Sequence, residues 1–585
     1  MALSEKSVPA LVDVPETANL TDLVVDSAAT EPHRVQLRRH VDGAWTDVTT
    51  SQFLAEVDAL AKGLIAAGVG VGDRVGLLSR TRYEWTVADF AIWSAGAVPV
   101  PIYETSSAEQ IEWILGDSGA VGCVVEAPHH AATVAQVRPR LPRLASVWVL
   151  DEGAIADLTA SGAGVPDAEV TARRRALGRD STATLVYTSG TTGRPKGCEL
   201  THGNFLAEVG NICASMGDLF NPSGSTLLFL PLAHVFGRVV EIGCLRSGVV
   251  LGHAPDAKNL ATDLVGFRPT FVLAVPRVFE TVYNRAQAKA AADGKGRIFD
   301  RAAHVSEAYS RAEQAGQVGW WLRLQHTVFD RLVYAKLRDA MGGRVRYSVS
   351  AGAPLGARLG HFYRGIGLTI LEGYGLTEVS GASNVNRPDA LRVGTVGQPV
   401  PGTTVRIAAD GEVLIKGPIV FRGYHGNPAA TAEAIDADGW FHSGDIGELD
   451  QDGYLTITGR KKELIVTAGG KNVAPTVLED RIRSHPLVSQ CMVVGDNRPY
   501  VAALVTLDRE SLPGWLAAHG RGTDLTVEQA VADPAVLAAV QEAVDGANEA
   551  VSRAEAIRRF RLLATDFTED DGHLTPTLKL KRGNV

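Results

Sequence analysis

The sequence predicts an α/β protein of several folding units: a large N-terminal domain of stacked α/β sheets with a β-rich subdomain, then a small α+β C-terminal domain. Three observations lead there. Helix-like and strand-like stretches alternate as far as Val125, and the texture turns to short β-like runs after Val393. At 585 residues and 45% hydrophobic content, the chain can also bury more than one large core.

The elements follow in order. Over 54–67 the apolar residues Leu54, Val57, Leu60, Ala61 and Leu64 recur at three- and four-residue spacing. Residues 68–73 break the pattern and Val75-Gly76-Leu77-Leu78 follows, which reads as helix, loop and buried strand. The same alternation predicts a helix over 85–94 before a strand at 98–102, and a helix over 111–115 before a strand at 121–125. Residues 154–179, rich in Ala, Gly and Arg, read as a loosely ordered connection to a strand at 184–187. Residues 285–340 have helical spacing and little β-branching, and read as a long helical insertion. In 393–459, Asp410-Gly411 and Asp452-Gly453 mark tight hairpin turns. Gly459-Arg460-Lys461-Lys462-Glu463 then interrupts the pattern and divides the chain into 1–460 and 461–585. Strands near 491–495 and 502–507 and helices beyond Asp524 complete the C-terminal part, and no internal repeat is visible.

A formal net charge of −9 argues against a nucleic-acid partner. The five cysteines (Cys123, Cys198, Cys213, Cys244, Cys491) form no CxxC pair, and their odd number resists a disulfide framework, so a reducing cytoplasm is expected. The N-terminus has no basic stretch leading into an apolar core, and no run approaches the roughly 18 apolar residues of a membrane span. A soluble chain is expected, with peripheral membrane contact and a homodimer left open.

The strongest chemical signal is Tyr187-Thr188-Ser189-Gly190-Thr191-Thr192-Gly193-Arg194-Pro195-Lys196-Gly197, directly after a β-branched strand. Glycines let backbone N–H groups converge, hydroxyls add donors and Lys196 adds a positive charge, a combination suited to an oligophosphate. A Walker A loop needs four residues between its glycines and a Gly-Lys-Ser/Thr ending, whereas Pro195 precedes this lysine and Gly197 follows it. No Gly-x-Ser-x-Gly elbow and no His-Glu-x-x-His metal pair occurs.

At these residues the chain resembles the acyl-adenylate-forming superfamily. The other family motifs follow in order: Pro231-Leu232-Ala233-His234-Val235-Phe236, Ser350-Ala351-Gly352-Ala353-Pro354, Gly373-Tyr374-Gly375-Leu376-Thr377-Glu378, Trp440-Phe441-His442-Ser443-Gly444-Asp445 and Gly459-Arg460. The resemblance implies that Thr188, Ser189, Gly190, Thr191, Thr192, Gly193 and Lys196 hold the phosphates of ATP. It implies that Gly352, Ala353, Pro354, Glu372, Gly373, Tyr374, Gly375 and Thr377 belong to the ATP/AMP site, with Lys196, Thr377 and His234 in the catalytic set. Glu378, a hard oxygen ligand, would hold Mg²⁺ together with Thr188; a helix-capping or loop glutamate is the plainer reading. Tyr374 would stack on adenine, with a core tyrosine as its rival. Asp445 would accept both ribose hydroxyls, reinforced by Arg460. His234 would be a gate at an acyl pocket lined by Val235, Val239 and Gly352, and plain core packing is the alternative for that helix.

The family lysine that reaches the carboxylate and α-phosphate during adenylation matches Lys579 by its spacing to Arg582. Leu578 stands where the family usually has Gly, and Lys581 is the alternative. The family rotates its C-terminal domain about a hinge, here Lys462. A loop equivalent to Gly469, Gly470 and Lys471 then lies beside the pantetheine tunnel, so the C-terminal domain should be mobile. The insertion carrying Trp320-Trp321 resembles the long-chain fatty acyl-CoA synthetase branch, which implies a long-chain fatty acid, ATP and coenzyme A as substrates. The alternatives are a fatty acyl-AMP ligase that loads a carrier protein and a non-catalytic lipid- or nucleotide-binding protein. Trp320-Trp321, beside Arg323 and His326, could touch a membrane surface or pack on the large domain.

Overall fold

The computed structural model describes residues 3–188, 194–255, 259–468, 471–522, 525–553, 555–568, 571–575 and 580–585. Its first sheet is parallel, ordered Val98–Ile102, Arg74–Leu78, Gly122–Val125, Ser146–Val149. The crossover helices follow the sequence pattern. In Thr50–Ala66 the buried residues Phe53, Val57, Leu60, Ala61 and Leu64 form one stripe, and Thr49 and Gln52 close a capping box at its start. Helix Tyr83–Ser94 buries Trp85, Phe90 and Trp93 completely and is buried on nearly every side, as a helix between two layers must be, with its one buried charge, Asp89, paired to Arg238. The Trp93 indole N–H donates to the Ala183 carbonyl at 2.7 Å, tying this helix to strand Thr182–Thr188.

A second sheet runs Phe271–Ala274, Tyr347–Ser350, Thr369–Tyr374 in parallel and ends in the antiparallel strands Asn384–Val385 and Gln398–Pro399. The helical insertion is the crossover between its first two strands. It comprises Pro276–Ala292, Gly296–Gln314, Trp320–Phe329 and Ala335–Ala340, with a π-helical turn at Asp330–Tyr334. A third, antiparallel sheet joins Thr182–Thr188 and Lys196–Thr201 to Gly423–Tyr424.

The β-rich region is an antiparallel sheet of Thr404–Ile407, Glu412–Lys416, Phe441–Leu449 and Leu455–Arg460. Its edge is extended by Glu5–Ser7 from the far end of the sequence, which local pattern cannot foresee. Gly411 and Gly453 take the expected positive φ, at 87° and 83°, while their aspartates do not. The C-terminal part has its own apolar core, including Leu478, Val505 and Val540. It is built on strands Val488–Val494, Val501–Leu507 and Ile557–Leu563 with helices Pro475–Arg483 and Pro534–Asn548.

One expectation fails. Residues 154–179 are ordered: helices Ala154–Ser161 and Asp167–Arg175 pack beside helix Thr50–Ala66. A Cβ on Gly63 would collide with the Leu158 carbonyl, so the glycine permits this approach. The arginines that suggested a solvated linker work as ties. Arg173 donates to the carbonyls of Val69 (2.8 Å) and Ala95 (3.0 Å), and Arg174 pairs with Asp58. Ala95 is the C-cap of the buried helix, whose orphan carbonyls need donors.

Candidate functional site

The hairpin Thr182–Thr188/Lys196–Thr201 presents the phosphate-loop motif, with Thr188 and Lys196 as register partners at its mouth. Ser189, Gly190, Thr191, Thr192 and Gly193 lie outside the described residues. Short strand Gly423–Tyr424 pairs with Cys198 and Glu199, which brings Tyr424 to the same place. The Lys196 ammonium lies 4.8 Å from the Tyr424 ring centroid, and the Tyr424 hydroxyl donates to Glu378 Oε1 at 2.9 Å. Thr188 Oγ1 sits 4.0 Å from Cys198 Sγ. Burial first, and then Glu378, pushes both the Tyr424 phenol and the Cys198 thiol up, so both stay protonated. Thr188 and Lys196 thus share one end of this sheet with Glu378, more than 180 residues further along the chain, and Tyr424 bridges the lysine and the glutamate. Sequence reasoning missed Tyr424: an isolated Gly-Tyr carries no periodicity that marks it.

Glu378 is held by its backbone. Strand Thr369–Tyr374 ends in Gly373-Tyr374-Gly375, where a Cβ on Gly375 would collide with the Gly381 carbonyl. The chain then makes a single turn at Thr377–Val379 and leaves through Ser380 at φ 64°. Thr377 is buried, the Ser380 hydroxyl donates to the Ile419 carbonyl at 2.7 Å, and the Phe421 N–H donates to the Glu378 carbonyl at 2.8 Å. The Glu378 carboxylate makes no cap bond at this turn, so of the two plainer readings the helix-capping one does not hold.

A second cluster forms around Asp445. Asp445 and Arg460 are register partners in the hairpin Phe441–Leu449/Leu455–Arg460, and Arg460 Nε lies 2.8 Å from Asp445 Oδ1. The Tyr374 hydroxyl donates to Asp445 Oδ2 at 2.6 Å. Tyr374 is half-buried, and its phenol is raised by burial and then by Asp445, so it remains a donor. Asp445 itself is buried. Its aim is set by Gly444 at φ 70°, by Ser443 Oγ accepting the Asp445 N–H at 3.1 Å, and by Glu412 Oε1 accepting the Gly444 N–H at 2.9 Å. Lys461 Nζ reaches Glu412 at 3.1 Å and Asp410 at 2.6 Å. Burial alone would raise the Glu412 carboxyl, but Lys461, the Gly444 N–H and His442 outweigh it and hold it below the usual range. Glu412 is a second supporting residue that sequence alone did not reveal.

The two clusters join through strand Thr369–Tyr374, which also carries Glu372. Glu372 pairs in register with Ser350, and its Oε1 accepts the Leu355 N–H at 3.0 Å, anchoring the exposed loop Gly352, Ala353 and Pro354. Burial pushes the Glu372 carboxyl up to about 7, the Leu355 N–H opposes this and Asp480 adds to it.

His234 caps helix Val235–Ser247, its Nδ1 accepting the Phe236 N–H at 3.1 Å. Val235 and Val239 are both buried in the large core, and a Cβ on Gly381 would lie 2.9 Å from Val239 Cγ2, just past Glu378. A Cβ on Gly352 would lie 3.9 Å from Val275, which packs against the core that holds Val235 and Val239.

Lys462 lies in the turn Lys461–Glu463, directly after Arg460. Gly469, Gly470 and Lys579 lie outside the described residues, while Lys471 Nζ pairs with Glu555 at 3.2 Å. The segment holding Lys579 is bracketed by the bridge Leu574–Leu580 and by the Lys581 N–H donating to the His573 carbonyl at 2.8 Å. Arg582 pairs with Glu479 and, at 3.4 Å, with Glu463, so this basic end is not a free solvated tail. The C-terminal part meets the helical insertion through Arg277–Asp508 (3.1 Å) and Arg285–Glu510 (2.9 Å). Among the described residues no cluster of His, Cys, Asp and Glu forms a metal-binding group of three or more.

Comparison with known proteins gives this geometry its context. Residues 24–425 match the family described as AMP-binding enzyme, and residues 462–585 match the AMP-binding enzyme C-terminal domain. The long-chain-fatty-acid–CoA ligase FadD15 of Mycobacterium bovis is 52% identical over 583 residues, covering 99% of this chain and 97% of that protein. The Arabidopsis thaliana peroxisomal long chain acyl-CoA synthetase 6 is 33% identical over 90% of this chain and 78% of its own length. Among solved structures, the anthranilate CoA ligase AuaEII in complex with anthranoyl-AMP superimposes with a TM-score of 0.73 at 22% identity, covering 98% of this chain and 97% of that one. A Mycobacterium tuberculosis fatty acyl CoA synthetase gives 0.61 at 24% identity, covering 96% of each chain. At such identities the two structures speak for the fold.

Proposed function

The chain belongs to the AMP-binding enzyme family, and from that premise we propose how its residues divide the work of a long-chain fatty acid–CoA ligase. The reaction joins the acid to ATP, releasing pyrophosphate and giving an acyl adenylate, and then moves the acyl group to the thiol of coenzyme A, releasing AMP. A carboxylate must be activated because oxide is a poor leaving group; its exchange for AMP makes thiol attack feasible.

In this reading the flanks Thr188 and Lys196 steady the triphosphate. The Lys196 cation is directed by the Tyr424 face, and the charge it supplies at phosphorus is worth most where water is excluded. Asp445 accepts the ribose hydroxyls with the lone pairs left over from Tyr374 and Arg460. Tyr374, half-buried with its hydroxyl pinned, offers its ring to adenine. The donor set suits Mg²⁺: Glu378 and Thr188 are hard oxygen ligands, and only one Glu378 oxygen is engaged by Tyr424. When bound, the ion would neutralise phosphate charge. His234, fixed as a helix cap, gates the acyl chain near Val235 and Val239. Lys579 approaches the carboxylate and α-phosphate during adenylation and withdraws as residues 461–585 turn about Lys462, bringing Gly469, Gly470 and Lys471 toward coenzyme A.

The observation that carries the reading is the convergence of Thr188, Lys196 and Glu378 through Tyr424 in a chain that matches its ligase relative end to end. A cytoplasmic setting is supported by five free cysteines, four of them buried. No helix among the described residues is long and apolar enough to cross a membrane. The test is ATP–pyrophosphate exchange and AMP release with a panel of acids, Mg²⁺ and coenzyme A. Exchange that depends on a long-chain acid, with acyl-CoA as product, is expected. Acyl adenylate without thioester would move the acceptor to a carrier protein.

A further inference from the structure

Helix His202–Ser215 follows directly on the strand that begins at Lys196, and a capping box of Thr201 and Asn204 fixes its start. Most of the helix is buried, yet Asn204, Glu208 and Asn211 give it a polar stripe inside the protein. Their spacing of four and three residues puts them on one face. Burying such groups is costly unless each finds a partner, so the partners show what the stripe holds.

Two of the three grip the chains on either side of Glu378. Asn204 Nδ2 donates to the carbonyls of Pro418 (2.7 Å) and Val420 (3.0 Å). These bracket Ile419, whose carbonyl accepts the Ser380 hydroxyl, and precede Phe421, whose N–H donates to the Glu378 carbonyl. One turn on, Glu208 Oε1 accepts the Ala382 N–H at 2.5 Å, on the chain that leaves the Glu378 turn. Glu208 is completely buried, and its Oε2 has no partner among the described residues. Burial pushes its carboxyl up to about 8 against the pull of the Ala382 N–H, so it is neutral at pH 7. The approach is close: a Cβ on Gly381, at φ 149°, would lie 2.5 Å from Glu208 Oε1 and 2.9 Å from Val239 Cγ2. Asn211 holds a different part of the chain, its Oδ1 accepting the N–H groups of Leu11 (2.7 Å) and Val12 (3.3 Å).

We propose that Glu208 is a positioning residue for adenylation: together with Asn204 it ties the turn carrying Glu378 to the helix that continues from Lys196, and so sets carboxylate against ammonium. Tyr424 joins those two side chains at their tips, whereas Glu208 and Asn204 fix the backbones beneath them. A metal-bound triphosphate held between a cation and a carboxylate needs both placed to within about half an ångström. The consequence for turnover rests on the ligase reading; the tie itself does not.

The test compares Glu208→Gln, Glu208→Leu, Asn204→Asp and Asn211→Leu in the full chain. Glutamine is neutral, has the same shape and still accepts from Ala382, while leucine leaves that N–H unpaired. Aspartate at 204 keeps the bond from the Thr201 N–H and loses both donors. Asn211→Leu is the control, an equally drastic change on the same buried face that leaves the Glu378 turn alone. Without substrates, amide hydrogen exchange across 376–385 should quicken at least about tenfold in Glu208→Leu and Asn204→Asp and keep the wild-type rate in the other two. In ATP–pyrophosphate exchange the first pair should need at least about fivefold more Mg²⁺ for half-maximal rate and turn over about tenfold more slowly, with the other pair unchanged. Should Glu208→Leu fail to fold, Asn204→Asp carries the same two readouts. Amide exchange and a metal titration that both stay within about twofold of wild type in Glu208→Leu or Asn204→Asp overturn the proposal. So does an Asn211→Leu that moves them as far, since damage to the helix would then explain the effect. Wild-type protein that makes no acyl adenylate from any acid removes the ligase reading, while the amide exchange rates still decide the tie.

Discussion

Glu372→Gln should make the protein more stable at alkaline pH, and the gain should vanish in acid. Glu372 is 9% exposed and spends one oxygen on the Leu355 N–H. Burial lifts its carboxyl from the ordinary 4.5 to about 7, against the pull of that N–H and with a further push from Asp480. An unfolded chain loses the proton near 4.5 while the folded chain keeps it to about 7. The stability that the proton confers is therefore complete below pH 4.5 and is lost as pH rises through 7. At about 1.4 kcal/mol per pKa unit, the loss by pH 8 is on the order of 3 kcal/mol. Glutamine keeps the shape and the acceptor for Leu355 and cannot ionise. The variant should thus exceed wild type by on the order of 2–3 kcal/mol at pH 8, and the gap should narrow to under about 1 kcal/mol at pH 5. Urea unfolding of both proteins at pH 5, 6, 7 and 8, followed by near-UV dichroism, measures it. A difference that stays flat across this range would refute the burial argument.

Three further outcomes test the site. Asp445→Asn leaves one oxygen to accept from either Tyr374 or Arg460, turns the other position into a donor and removes the charge facing the ribose; kcat/KM for ATP should fall about 100-fold, from roughly 1.5 kcal/mol for each of two charge-assisted bonds. A fall below about threefold in exchange assays would take Asp445 out of the nucleotide site. Tyr424→Phe retains the ring beside Lys196 and deletes the 2.9 Å donor to Glu378, so the Mg²⁺ concentration giving half-maximal rate should shift and adenylation should drop about tenfold; an unmoved metal titration would sever Tyr424 from that role. Lys579→Ala should cut adenylation by orders of magnitude and spare thioester formation from supplied acyl adenylate. Equal losses in both half-reactions would contradict a lysine that acts in only one of two conformations.

What the sequence discloses depends on how local the determining forces are. Helix Thr50–Ala66 and the strands from Arg74 to Val125 are legible because each carries its period and its cap within a few residues. The segment 154–179 is not, because its order comes from arginine ties to carbonyls about 80 and 104 residues away. One local signal was there and passed over: Asp42-Gly43, with φ 48° and 83°, closes the hairpin Val35–Val41/Ala44–Thr49. The site divides the same way. Thr188, Lys196, Glu378 and Asp445 stand in motifs dense enough to read. Tyr424 and Glu412 work through partners far along the chain, so only the folded sheet reveals them.

The ribose cluster and the turn beyond it are mechanically linked. Arg460 faces Asp445 across the hairpin; the next residue, Lys461, is held by Asp410 and Glu412; and Glu412 in turn accepts the N–H of Gly444, which aims Asp445. The pivot proposed at Lys462 would begin one residue past this clamp. Rotation there could carry Lys579 away from the α-phosphate while leaving the ribose anchor untouched, because Lys461, although the first residue of the C-terminal part, precedes the pivot and is tied to Asp410 and Glu412 of the sheet. Loosening it by Lys461→Ala should therefore blunt nucleotide binding as well as turnover, so ATP affinity, measured without acid or thiol, distinguishes a fixed anchor from one that travels with residues 461–585.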